Sequence, residues 1–249
     1  PNLDPETAKI FTLGTVWKVP WVEGLSATVD YWNIEVENAI VPQGASVILS
    51  NCYAQSSRSD CEKIIRDGTG FITDIVDLQS NIGGSETAGL DLALRYDHAI
   101  EGIGRMTYNF EGTWLQKFNE IQPTRTVEGK GVYDLGVHPD YRFNFSALWG
   151  KDAYGAGANV RYIDGVRECE DNDCSEDNPW RNVDMNVTAD LFASYTQKSP
   201  LGNSMLTVGV NNLTDANPAV IYNGFLGTSD ASTYDFMGRF IYMRFSQEY

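Results

Sequence analysis

Over residues 182–195, NVDMNVTADLFASY, polarity changes at nearly every step. Val183, Met185, Val187, Ala189, Leu191, Ala193 and Tyr195 fall on one face, and Asn182, Asp184, Asn186, Thr188 and Asp190 on the other. A helix repeats every 3.6 residues and cannot sort such a run, whereas a strand sends successive side chains to opposite faces. The same rule separates Tyr141, Phe143, Phe145, Ala147 and Trp149 from Arg142, Asn144 and Ser146. It also separates Tyr154, Ala156, Ala158, Val160 and Tyr162 from Asn159 and Arg161. Each segment is a strand with one apolar and one polar side.

Reading the whole chain this way predicts nine strands, near residues 8–19, 25–38, 72–97, 104–117, 139–150, 154–165, 182–196, 204–213 and 234–249. Their connections alternate in length. Short turns at PWVEG, HAIEG, KDA and QKSPLGN contrast with long polar loops around 39–71, 118–138, 166–181 and 214–233. Short turns at one rim and long loops at the other mark an outer-membrane barrel, with the turns periplasmic and the loops outside. Aromatics agree with this, because Trp and Tyr favour the two membrane interfaces. Trp17, Tyr96, Trp149, Tyr154 and Tyr195 lie beside short turns, and Tyr31, Trp114, Tyr141 and Tyr162 toward long loops. From Tyr141 to Trp149 is eight steps, roughly 20 Å along the membrane normal at a rise of about 3.3 Å and a tilt near 40°. A soluble β-sandwich also alternates, but it has no need to sort exposed aromatics into two rims.

Composition fits a strand-crossing membrane protein. The 249 residues are 42% hydrophobic, and no run of 18 apolar residues offers a transmembrane helix. A barrel hides its apolar residues at alternate positions, so a mean hydropathy of -0.30 is no obstacle. The net charge of -16, from 34 acids and 18 bases, argues against nucleic acid as a partner. The start, PNLDPETAKIF, has no initiator Met, basic n-region or apolar h-region. A fragment of a longer protein is expected, its odd strand count implying that earlier strands precede it.

The last strand, GRFIYMRFSQEY, places Ile241, Met243, Phe245 and the terminal Tyr249 on one face, with Arg244 and Ser246 on the other. Ending on an aromatic suits a strand that must be paired to close a sheet. Four cysteines form two local pairs, Cys52 with Cys61 and Cys169 with Cys174, each in a polar stretch on the long-loop side. Two disulfides in an oxidising compartment are expected. A zinc site is the rival reading, but the spacings contain no CxxC knuckle.

With these residues assembled, the chain resembles the C-terminal part of a TonB-dependent outer-membrane receptor. NLDPETAKIFTLGTVWKVPWVEGLSATVDYWNIEVENAI resembles that family's Pro-Glu start, long strand, tight turn and next strand. SETAGLDLALRYD resembles the segment in which a Gly precedes an alternating strand, and VGVNNLTDANPAV its Asn-Leu-Thr/Phe-Asp element. GRFIYMRFSQEY resembles the terminal strand read by the barrel-assembly machinery, with Tyr249 where Phe is commoner and Gln247 at a usually apolar position. The resemblance implies an all-β fold: about nine strands of an antiparallel transmembrane barrel of about 22, without plug domain or TonB box. It also implies a TonB-coupled receptor importing a scarce nutrient, with ferric siderophores the commonest substrate and carbohydrate or cobalamin behind. A passive porin or adhesin-type barrel and an extracellular sugar-binding sandwich are the alternatives. Partners implied are the TonB complex through the plug, the barrel-assembly machinery, outer-membrane lipid and lipopolysaccharide, and a small solute.

No enzyme constellation or cofactor motif is present: there are only two histidines, His98 and His138, and no HExxH, GxSxG or P-loop. The acidic loop ECEDNDCSEDN offers Glu170, Asp171 and Asp173 as hard oxygen ligands for Ca²⁺, although a solvated loop face is the simpler reading. Arg95, Arg105, Glu111, Arg142, Arg161, Asp184 and Asp190 lie on polar strand faces and are candidates to face the lumen, toward solute or plug.

Overall fold

The computed structural model describes residues 3–54, 58–133, 136–169, 180–200, 202–222, 224 and 228–248. The elements run β1 (Thr7–Lys18), β2 (Leu25–Pro42), α1 (Ala45–Ala54), α2 (Arg58–Cys61), β3 (Ile64–Arg66), β4 (Ile72–Ile75), β5 (Gln79–Ile100) and β6 (Gly104–Ile121). They continue as β7 (Thr126–Glu128), β8 (Val132–Tyr133), β9 (Tyr141–Lys151), β10 (Tyr154–Ile163), β11 (Val166–Cys169), β12 (Trp180–Val183), β13 (Asn186–Ser199), β14 (Gly202–Asn211) and β15 (Phe240–Glu248).

Nine of these strands form one wall in the order β1-β2-β5-β6-β9-β10-β13-β14-β15, with β7 added to β6. Neighbours in space are neighbours in sequence apart from the loop strands, which is the up-and-down order that short turns enforce. Contacts divide the chain into two units. One comprises 1–11, 33–87 and 117–128, and the other 12–32, 88–116 and 129–249.

In the second unit the antiparallel register carries each side-chain face from strand to strand. Tyr108, Ala147, Ala158, Leu191, Val210 and Ile241 form one row, and Met106, Trp149, Ala156, Ala193, Val208 and Met243 the next. On the opposite side run Asn109, Ser146, Asn159 and Asp190, and beside them Glu111, Asn144, Arg161 and Thr188. The apolar face is not covered by protein: Ile241, Met243 and Phe245 are 77%, 74% and 67% exposed. So wide an apolar surface suits hydrocarbon rather than water. Tyr154 and Tyr195 meet at 5.3 Å beside the short turns, and Trp114 and Tyr141 at 6.3 Å toward the long loops. Spin labels at 187 and 191 are expected to report lipid, and those at 159 and 190 water; equal water access on both faces would refute this assignment of the two sides.

Gly89, in the SETAGLDLALRYD segment, is explained by a close approach. A Cβ there would sit 2.5 Å from the Trp32 ring, whose Nε1 donates to Asp91 at 3.1 Å.

Several sequence expectations are corrected. The strand expected at 72–97 is two elements: β4 pairs with β3 in a separate hairpin, and the wall strand begins at Gln79. The strand expected at 182–196 breaks at Asp184 and Met185, so Val183 belongs to β12 and not to the apolar wall. The last strand begins at Phe240 rather than 234. The long connections are also not simply polar. β8, β11 and β12 form a three-stranded sheet, and around it Tyr133, Ile163, Val166, Val183, Ile221 and Tyr234 bury one another.

Candidate functional site

Where the polar face meets this loop core, the wall and the chain before β15 line an open cavity of about 560 Å³. The wall contributes Glu111 and Thr113 from β6, Arg142 and Asn144 from β9, and Asn159 and Arg161 from β10. Strand pairing sets their spacing: Glu111, Asn144 and Arg161 lie in one row, and Thr113 and Arg142 in the next. Ser232 and Thr233 close the other side.

That closing segment is held from within. Asp230 Oδ1 accepts from the Ser232 N–H at 2.8 Å, the Thr233 and Tyr234 N–H groups donate to the Asp230 carbonyl at 3.2 and 3.0 Å, and Ser229 Oγ donates to the Ala219 carbonyl at 2.6 Å. Tyr234, next in sequence, is buried in the loop core. Burial, reinforced by nearby Asp230, pushes its phenol up to about 12, so it remains neutral. Beside this core, Arg181 pairs with the buried carboxylate of Glu168, donates to the Val220 carbonyl at 2.8 Å and lies 4.3 Å over the Tyr222 ring.

Among the described residues, no hydrogen bond or ion pair occupies the side chains of Glu111, Arg142 or Arg161. Two guanidinium groups and one carboxylate in an otherwise acidic chain make a locally cationic cavity. Guanidinium forks suit carboxylate, phosphate or other paired oxygens, and the Asn and hydroxyl groups add neutral donors and acceptors. The volume is within the range of small-molecule sites.

The other lumen candidates are placed elsewhere. Arg95 is engaged by Asp97, at 2.8 Å through Nε, and by Asn109 at 3.1 Å. Arg105 pairs across from Gly150, at the short-turn end. Asp190 accepts the Asn212 N–H at 2.8 Å, a backbone fastening. Asp184, expected on a strand face, sits in the break between β12 and β13 and lines a separate polar depression with Lys130, Asp140 and Asp164. Ser232 and Thr233 were not expected in a site, since neither periodicity nor charge distinguishes SDAST in the sequence.

The Cys169–Cys174 pairing, the acidic group Glu170, Asp171 and Asp173, and Tyr249 lie outside the described residues. Among the described residues, no group of three or more His, Cys, Asp or Glu is placed to hold a metal ion.

In the first unit, Cys52 and Cys61 are joined by a disulfide that ties α1 to α2. The adjoining Asp60 accepts from Lys63 at 2.7 Å, Asn51 at 2.9 Å and Gln43 at 3.1 Å. Chiefly the Lys63 bond, and then the Asn51 bond, hold its carboxyl at about 2, below the usual 3.8. A lowered carboxylate pKa stabilises the fold above the unfolded value, and that contribution is lost as pH falls through the folded one. Acidification from about pH 4 to about pH 2 is therefore expected to loosen residues 43–63, with Asp60→Asn already loosened at neutral pH. Reduction of the disulfide is expected to raise protease sensitivity in the same segment and leave the heat resistance of the wall unchanged. Hydrogen exchange and limited proteolysis check both; pH-independent protection or loss of the wall on reduction would contradict them.

A sheet with one lipid-suited face, one polar face and loops packed at one rim defines an antiparallel transmembrane β-barrel wall. The family model for TonB dependent receptor-like β-barrels matches residues 1–213, and the chain belongs to that family, whose members reside in the bacterial outer membrane. Among solved structures it is similar to the ferric enterobactin receptor PfeA of Pseudomonas aeruginosa, in a G324V mutant form, with 18% identity and a TM-score of 0.64 over 98% of this chain and 31% of that one. It is also similar to the siderophore receptor PirA of Acinetobacter baumannii, with 15% identity and a TM-score of 0.62 over 98% and 32%. The FrpB iron transporter of Neisseria meningitidis gives 14% identity and a TM-score of 0.58 over 96% and 31%. The chain thus spans about a third of the length of these structures, and they bear on its fold. A search of curated proteins gave no match.

Proposed function

We propose that this chain is the C-terminal barrel segment of a TonB-coupled receptor that imports a ferric siderophore, with Arg142, Arg161 and Glu111 facing the solute in the lumen. The observation that carries this reading is the cationic cavity between wall and loop, whose two guanidinium groups have no partner among the described residues. Family membership supports energy-coupled uptake over a passive pore, and the solved relatives named for siderophore or iron transport support the solute class. In this reading the plug domain and earlier strands precede the chain, and the plug reaches the TonB complex. The barrel-assembly machinery reads the strand bearing Ile241, Met243 and Phe245.

The test is uptake in a strain lacking the full-length gene, with and without TonB, using iron-loaded catecholate and hydroxamate siderophores beside a sugar and cobalamin. Siderophore-iron uptake should require both genes. Uptake that persists without TonB would indicate a passive barrel, and restoration only by sugar or cobalamin would reassign the solute.

A further inference from the structure

Behind the cavity, one strand further along the wall, stands a carboxylate that does not line it. Thr113 on β6 faces the cavity, and its Oγ1 donates to Asp91 Oδ1 on β5 at 2.7 Å. The other carboxylate oxygen, Oδ2, accepts from the indole Nε1 of Trp32 on β2 at 3.1 Å. A carboxylate has no proton to give and an indole nitrogen only donates, so the direction of both bonds is settled by chemistry. The Trp32 ring is seated against β5 at Gly89, where a Cβ would lie 2.5 Å from it. With the indole holding one oxygen, the second is turned to Thr113.

A hydroxyl has a single proton. Committed to Asp91, that proton leaves Thr113 to meet the cavity with lone pairs alone. Glu111, two residues earlier on the same strand and roughly 7 Å away along it, also only accepts as a carboxylate. β6 therefore lines the cavity with acceptors, whereas β9 and β10 line it with the Arg142 and Arg161 donors. Thr113 and Arg142 are register partners, which sets an acceptor beside a cationic donor with backbones about 5 Å apart.

We infer that Asp91 is a positioning residue that fixes Thr113 as an acceptor, and that the cavity thereby selects a solute carrying an N–H or O–H donor next to its anionic oxygens. The inference rests on the solute reading of the cavity and deepens it. A carboxamide in place of Asp91 reverses the polarity. Trp32 takes the amide oxygen, the amide nitrogen donates to Thr113 Oγ1, and the threonine proton turns to the cavity. Charge alone predicts a different result, because loss of a nearby carboxylate improves every anionic solute by the same factor, whatever donors it carries.

The experiment uses the full-length receptor in detergent and isothermal titration with two probes. One is an iron-loaded catecholate siderophore joined through amides; the other is the same siderophore with each amide nitrogen methylated, which removes donors and keeps the charge. Wild type should bind the unmethylated probe about threefold to tenfold better, the worth of one neutral hydrogen bond. Asp91→Asn should abolish or reverse that preference. Thr113→Val should abolish it too, and adding Asp91→Asn to Thr113→Val should change the preference no further, as expected when one residue acts through another. Thr113→Ser, which keeps the hydroxyl, should retain it. Heat-modified migration identifies folded variants, and either substitution carries the test if the other fails to fold. A wild type without preference, or a preference unchanged in Asp91→Asn and Thr113→Val, would overturn the inference and leave the solute reading standing. A wild type that binds neither probe would also overturn it, and the uptake assay then decides separately whether the solute reading survives.

Discussion

Replacing Arg142 and Arg161 together by alanine is expected to weaken solute binding by about two orders of magnitude or more. A hydrogen bond to a charged group is worth roughly 1.5 to 3 kcal/mol, which is about a tenfold to a hundredfold in affinity for each arginine. The barrel itself should be indifferent. Both side chains are exposed and neither holds another described residue in place, so heat-modified migration should match that of the wild type. Lysine at either position should recover part of the affinity, since it keeps the charge but loses the paired donor geometry. Glu111→Gln should change affinity less than either arginine substitution if the solute is anionic. Isothermal titration with iron-loaded siderophore checks these values, and wild-type affinity in the double variant would remove the cavity from the solute path.

The second large effect is expected at Asn212, which is buried and makes reciprocal hydrogen bonds with Ala216: Nδ2 to the carbonyl and Oδ1 from the N–H, each at 2.8 Å. Its own N–H donates to Asp190, and its φ of 49° is in the left-handed region. Asn212→Ala loses both side-chain bonds and strains the backbone. Roughly 1 to 3 kcal/mol for unsatisfied groups and 1 to 2 kcal/mol for the conformation give a destabilisation of about 3 kcal/mol or more. Asn212→Gly relieves only the backbone contribution and should fall between the two. Urea unfolding of the full-length receptor in detergent measures the series; an alanine variant within about 1 kcal/mol of wild type would show that the turn is held by other contacts.

The NLTD element carries a family resemblance in the sequence, and the structure supplies its chemistry. In the structure, Asn212 fastens the exit of β14 back to Asp190 on β13. Asp215 accepts the Arg239 N–H at 2.8 Å and so fixes the entry to β15. Sequence alone placed Asp190 on the polar face, toward solute or plug, and could not name the Asn212 N–H as its partner, because alternation reports a side chain's face and not what it touches.

Alternation was reliable where the register ran unbroken, from Tyr154 to Tyr162 and from Val187 to Tyr195. It misled at Val183 and Met185, where the two-residue rhythm continued through a break into the loop sheet. The loop core was not legible at all. Tyr133, Val166, Ile221 and Tyr234 come from four separated segments, each too short for a periodicity to register. The site was half legible for the same reason: its wall arginines belong to regular strands, while Ser232 and Thr233 are positioned by that core.

The adjacency of Thr233 and Tyr234 has a mechanical consequence. One residue lines the solute cavity, and the next anchors a packed cluster shared by β8, β10, β11, β12 and the chain before β15. A solute large enough to displace Thr233 must also pull a neutral, fully packed phenol against five neighbours, so the response cannot stay confined to a loop tip. Packed clusters yield in discrete rearrangements rather than by gradual bending. In the reading proposed above, a solute loaded into the cavity would therefore move Thr233, Tyr234 and the packed loop cluster together.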